Sequence, residues 1–233
     1  MFPIKDLNRP STAPHINRLL ITANFIIFLV FWLSAENIFL GSRFAIDMEE
    51  KFVMFPSNIV NGKNLYTLFT SMFMHAGWLH LLGNMLYLYI FGDNIEDVFG
   101  HVGYLIFYIV CGLTADFAHI ISLRYTQGFD IGVVGASGAI AGVLGAYIVL
   151  YPKAKILTLI FYGWPIIVPI PALIFLGLWF LMQWFLGVFD ITIMEDSSGV
   201  AYWAHVGGFV AGLVLASIFG LKRKKTKETR SRF

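Results

Sequence analysis

Six apolar stretches, each close to the length of a bilayer-crossing helix, constrain this chain more than any other feature. They cover roughly 19–39, 78–97, 103–123, 132–151, 171–189 and 202–221. A helix needs about 20 mainly apolar residues to cross the hydrocarbon of a bilayer. Within lipid the backbone polar groups must be satisfied inside the segment, which favours helices. Composition agrees, with 58% of residues hydrophobic and 13% charged, about half the charged share of a soluble domain. The fold class expected is therefore all-α: a polytopic membrane protein built as a six-transmembrane-helix bundle. The apolar run from Ile156 to Phe189 is too long for one span. Pro165, Pro169 and Pro171 break it, so its first part is expected to be a loop or interfacial segment, with the fifth helix starting near Pro171. The first 18 residues are polar and contain Pro3, Pro10 and Pro14. They lack the basic start and cleavage site of a signal peptide, so the first span is expected to be retained.

Six spans put both termini on one side. Cytoplasmic segments carry an excess of Lys and Arg. With both termini inside, Lys5, Arg9, Arg18, Lys153, Lys155 and seven basic residues from Lys222 to Arg232 lie inside. Arg43, Lys51, Lys63 and Arg124 lie outside. Both termini are thus expected to be cytoplasmic, in a cell (inner or plasma) membrane. The organisation expected is a cytoplasmic segment 1–18, a membrane domain 19–221 with an outer loop 41–77 and a cap loop 190–201, and a basic tail 222–233 that anchors to lipid headgroups. Basic residues gathered in a tail, rather than on a patterned face, argue against a nucleic-acid partner. The single cysteine, Cys111, allows no disulfide within the chain.

Ionisable and polar residues inside a membrane are costly and mark functional sites. His80 and Asn84 lie early in the second span, Ser137 in the fourth and His205 in the sixth. These three spans all run inward, so the polar groups share a depth near the outer face, with Ser137 about 8 Å below the start of its helix. Ser137, Ala141 and Gly145 form one stripe of small residues. His205, Gly208, Gly212 and Ala216 form another. Such stripes let helix backbones approach closely, which would bring Ser137 opposite His205. A serine hydroxyl becomes a nucleophile when a base within about 3 Å takes its proton. Asn84, His80 and the N–H of Ser137 could then receive an oxyanion.

Three motifs carry these residues in order: "HAGWLHLLGNMLYLYIFGDNIEDVFG", "GASGAIAGVLGAY" and "AHVGGFVAG". Together they resemble the signatures of the rhomboid intramembrane serine proteases, from about Tyr66 to Gly212. The resemblance implies Ser137 as nucleophile and His205 as general base, a dyad without aspartate, with Asn84 and His80 at the oxyanion. It implies a structural role for His75, and for Glu96 between Gly92 and Gly100. It implies lateral substrate entry past about 172–202. The implied function is endopeptidase cleavage of transmembrane segments of membrane proteins, with transmembrane substrates and the lipid bilayer as partners and no metal or cofactor. Two departures stand out. Tyr66-Thr67 replaces the family's Trp-Arg, and Ala141 stands where some members stack an aromatic on the histidine.

Other readings use the same residues. A catalytically inactive relative would bind transmembrane helices without cutting them. A transporter would line a path with the polar cluster, but repeated halves are missing. No His-Glu-x-x-His motif occurs for a zinc protease, and no Gly-x-Gly-Asp for an aspartyl one. Asp116 and His119 sit at i, i+3 in the third span; the buried Asp116 reads as a hydrogen bond to a neighbouring helix, with histidine orientation or proton traffic as the alternative.

Overall fold

The computed structural model describes residues 1–125, 128–193 and 199–230. Each predicted apolar stretch overlaps a helix. After strand β1 (Phe2–Asp6), helix α1 (His15–Ala35) is followed by a segment, 41–77, that carries three short helices: α2 (Ser42–Phe52), α3 (Pro56–Val60) and α4 (Thr67–Thr70). Then come α5 (Trp78–Phe99), α6 (His101–Ser122) and α7 (Ser137–Leu150). A hairpin of β2 (Lys155–Tyr162) and β3 (Trp164–Pro171) leads into α8 (Ala172–Ile193). Helix α9 (Tyr202–Leu215) runs through a π-helical turn into α10 (Leu221–Arg230). Among the described residues, four helical segments are long and apolar enough to cross a membrane: His15–Ala35, His101–Tyr125, Ala172–Ile191 and Tyr202–Lys227. The protein is an integral membrane protein of helical-bundle type.

Helix α7 is the hub. Every residue from Gly138 to Tyr147 is buried, and α5, α6, α8 and α9 all pack on it. Helix α8 turns Leu173, Ile174, Leu178 and Leu181 outward, and α1 does the same with Leu19 and Ile26. Outward apolar side chains of this kind suit a lipid surround.

Three expectations are corrected. The chain is not all-α, because β1, β2 and β3 form an antiparallel sheet in that order. The segment 156–171, expected to be a loop or interfacial segment, is not a loop: it supplies two of its strands. They turn at Gly163 (φ 72°), with Tyr162 opposite Trp164. Pro165, Pro169 and Pro171 are tolerated because β3 is an edge strand, where a missing N–H costs no ladder bond. The fourth helix starts at Ser137 rather than 132. Residues 131–136 are not helical, and Val133 exchanges backbone hydrogen bonds with Met54 of segment 41–77 (2.8 and 3.2 Å). The 14 residues of α7 are shorter than a full span.

The helix ends away from segment 41–77 are tied together by polar contacts. Glu96, buried in α5, accepts hydrogen bonds from the backbone N–H groups of Ile16 (2.9 Å) and Asn17 (2.7 Å) at the start of α1. These are orphan donors of a helix N-terminus, where a carboxylate is favoured. His101 meets the same carboxylate. Asp6 accepts from the Tyr147 hydroxyl (2.7 Å) and the Asn94 amide (2.8 Å). Burial pushes the Asp6 carboxyl above its ordinary range, and the Tyr147 hydrogen bond opposes that shift without cancelling it. Three cations of the basic tail also reach the protein, while Lys222 and Lys225 stay exposed. Arg223 donates to the carbonyl of Phe99, Lys224 to that of Leu150 and Lys227 to that of Asp97. Cations there complement the negative ends of α5 and α7.

Candidate active site

Small residues position the site. Glycines let α7 and α9 meet backbone to backbone. A Cβ at Gly208 would collide with the Gly138 carbonyl, one at Gly212 with the Gly142 carbonyl, and one at Gly145 with the Phe209 carbonyl. The expected stripe on α9 is therefore used at Gly208 and Gly212. On α7 the contact runs through Gly138, Gly142 and Gly145 rather than Ser137, Ala141 and Gly145. This one-residue rotation turns Ser137 off the helix contact and toward the cavity.

The result is the predicted juxtaposition: Nε2 of His205 lies 2.8 Å from Oγ of Ser137. Both side chains line a cavity of about 660 Å³, together with His80, Asn84, Asp116 and Gln183. Because α7 begins at Ser137, that residue's backbone N–H belongs to the helix's first turn, where donors have no intrahelical acceptor. The Asn84 side-chain Nδ2 is buried with no hydrogen-bond partner. His80 lies beside the approach to Ser137: a Cβ on Gly135 would sit 2.8 Å from its Nε2. Gly135 adopts φ 125°, a left-handed conformation that only glycine accepts at ease, and its N–H donates to the Ser71 carbonyl (2.9 Å). The glycine before Ala136-Ser137 is thus required by space and by backbone angle alike.

His75 packs edge-on against His80, ring centroids 5.0 Å apart, from segment 41–77. Asp116 is buried, and its Oδ2 finds no hydrogen-bond partner. The interhelical bond expected of Asp116 is therefore not made through that oxygen. His119 also lines the cavity. Of the cap loop 190–201, residues 194–198 lie outside the described residues.

Sequence reasoning missed the groups that hold His205. Its Nδ1 lies 2.8 Å from Oε1 of Gln183, and the Trp179 ring lies 5.9 Å away at 38°. Both come from α8, at i and i+4. They stand in for the aromatic that Ala141 lacks. The available signal was Gln183 itself, a lone amide in an apolar run.

This geometry can be set beside known proteins. The Rhomboid domain family model matches residues 62–222. The chain belongs to the rhomboid family. Rhomboid relatives include RHOMBOID-like protein 1 of Arabidopsis thaliana, 31% identical over 79% of this chain and 42% of the relative. Rhomboid protease GluP of Bacillus subtilis is 33% identical over 68% of this chain and 27% of its own length. Rhomboid protein 1, mitochondrial, of Saccharomyces cerevisiae is 27% identical over 78% of this chain and 49% of its own length. The chain thus spans less than half of each of these rhomboid relatives. A mitochondrial relative stands beside a bacterial one, so the expectation of a cell membrane gains no support from them.

Proposed function

We propose that this rhomboid-family chain is an intramembrane serine endopeptidase that cleaves transmembrane segments of membrane proteins with a Ser137–His205 dyad. The observation that carries the reading is the 2.8 Å contact between Ser137 Oγ and His205 Nε2, made across two helices. In this reading the chain crosses the bilayer six times. Segment 1–18 and tail 222–233 lie in the cytoplasm, and the cavity opens outward to water. Four of the helical segments have the length and apolarity to span, and the excess of basic residues at the opposite end supports the orientation.

The chemistry follows from the donors and acceptors present. Ser137 Oγ attacks the substrate carbonyl carbon while its proton passes to His205 Nε2. Asn84, His80 and the Ser137 N–H receive the oxyanion, each donor worth about 10²–10³ in rate. The intermediate collapses, the peptide C–N bond breaks, and His205 returns the proton to the leaving amine. A water molecule, deprotonated by His205, then hydrolyses the acyl-enzyme. The substrate helix must unwind locally, because a regular helix engages its carbonyls in its own hydrogen bonds.

Ser137→Ala should abolish both cleavage of a helical reporter substrate and labelling by a fluorophosphonate, while the protein still inserts and folds. Cleavage retained by Ser137→Ala would remove Ser137 from the mechanism. A wild type that binds the reporter without cutting it or taking the label would make the chain an inactive relative.

A further inference from the structure

Between Ala172 and Phe189, α8 is apolar except for Gln183. A primary amide in such a helix is costly unless it is paired, yet Gln183 is only 6% exposed. It points inward, and the contact it makes is with Nδ1 of His205, 2.8 Å from its Oε1. A carbonyl oxygen can only accept, so Nδ1 must carry the proton. Nε2 is then bare and accepts the hydroxyl proton of Ser137 at 2.8 Å. One neutral hydrogen bond therefore selects the tautomer that a general base requires, without a carboxylate. Ala141, fully buried, is too small to hold the ring. Trp179, one turn before Gln183, closes over it instead.

We propose that Gln183 is a positioning residue for His205, fixing its tautomer and ring orientation, with Trp179 as the supporting wall. The role rests on the peptidase reading for its use, but the hydrogen bond can be tested apart from it. The same arrangement ties the base to the seating of α8. That helix is docked on α9 through Phe180 and Phe209 (ring centroids 4.6 Å apart) and through a hydrogen bond from Trp203 Nε1 to the Gly187 carbonyl (3.0 Å). Any separation of α8 from α9 withdraws Gln183 and Trp179 from His205 together.

The test uses the full chain in detergent, with Gln183→Leu, which keeps the bulk and removes the acceptor, and Gln183→Glu, which keeps an acceptor. Gln183→Leu should lower kcat and the fluorophosphonate labelling rate about 10- to 100-fold, less than the about 10⁴ lost when a triad carboxylate is neutralised. KM should move less than about threefold, since Gln183 is almost wholly buried and its amide oxygen faces His205. Gln183→Glu should recover most of the rate. In parallel, ¹⁵N spectra of labelled histidines, with His205 assigned by its loss in His205→Ala, should show Nδ1 protonated in the wild type and a tautomer mixture in Gln183→Leu. An Nε2-protonated His205 in the wild type, or a Gln183→Leu protein labelled at the wild-type rate, overturns the assignment. A wild type that shows the expected tautomer and its loss in Gln183→Leu, but is never labelled, upholds the positioning contact and fails the peptidase reading instead.

Discussion

The α-carbon of Gly208 lies against the carbonyl oxygen of Gly138, so α7 and α9 touch within one turn of both Ser137 and His205. The distance between the two reacting groups is set by this backbone contact. Gly208→Val puts a branched side chain into a main chain that cannot yield. It should cost about 1–3 kcal/mol or more and lower the melting temperature in detergent by about 5–10 °C. Gly83→Ala is the control, because no atom beyond its own stretch of helix backbone lies within 4 Å of its added Cβ. A helix-interior Gly→Ala there should be neutral or stabilising by about 0.5–1 kcal/mol.

Asn84→Ala separates catalysis from folding. The Asn84 Nδ2 has no partner in the resting protein, so its removal breaks no bond from that donor. Stability should change little while kcat falls about 10²–10³-fold, the cost of one oxyanion donor. Steady-state kinetics that show a raised KM with kcat intact would assign Asn84 to substrate binding instead.

Glu96→Ala acts at the other end of the bundle. It strips the acceptor from Ile16 N–H, Asn17 N–H and His101 at once. Charge-assisted bonds contribute about 1.5–3 kcal/mol each, and the loss should appear as a lower melting temperature. Activity per folded molecule should be kept, and Glu96→Gln, which retains one acceptor oxygen, should fall between.

His75 should make the fold sensitive to acid. Burial, and then the neighbouring His80, lowers its pKa to about 4, with a backbone contact at Phe73 opposing the shift. An unfolded histidine titrates near 6.5. Between those values the unfolded chain binds a proton that the folded chain refuses. Stability is therefore lost as pH falls from about 6.5 toward 4. Melting curves at pH 7.5 and 5 should diverge less in His75→Asn than in the wild type.

The site was legible where chemistry and spacing coincide. Ser137, His205, Asn84 and His80 stand out because a hydroxyl, an amide and two imidazoles recur near one end of three parallel spans. The small-residue stripes also announced which helices touch. What could not be read was set by docking. A single Gln183 has no period, and its partner depends on how α8 is rotated. The late start of α7 was hidden because 131–136 is apolar, and hydropathy does not distinguish extended chain from helix. The sheet was hidden because prolines read as breakers and because the partner of β1 lies far along the chain.

That last separation bears on how the molecule is made. Phe2 pairs with Leu159, so β1 has no neighbour in its sheet until the later hairpin has left the ribosome. At about 5–20 residues per second the wait is on the order of 10–30 s. Strand β1 must stay reachable by the later hairpin while α1 to α7 are being made. The sheet is thus a late clasp, closed only after the order and direction of those helices have been decided.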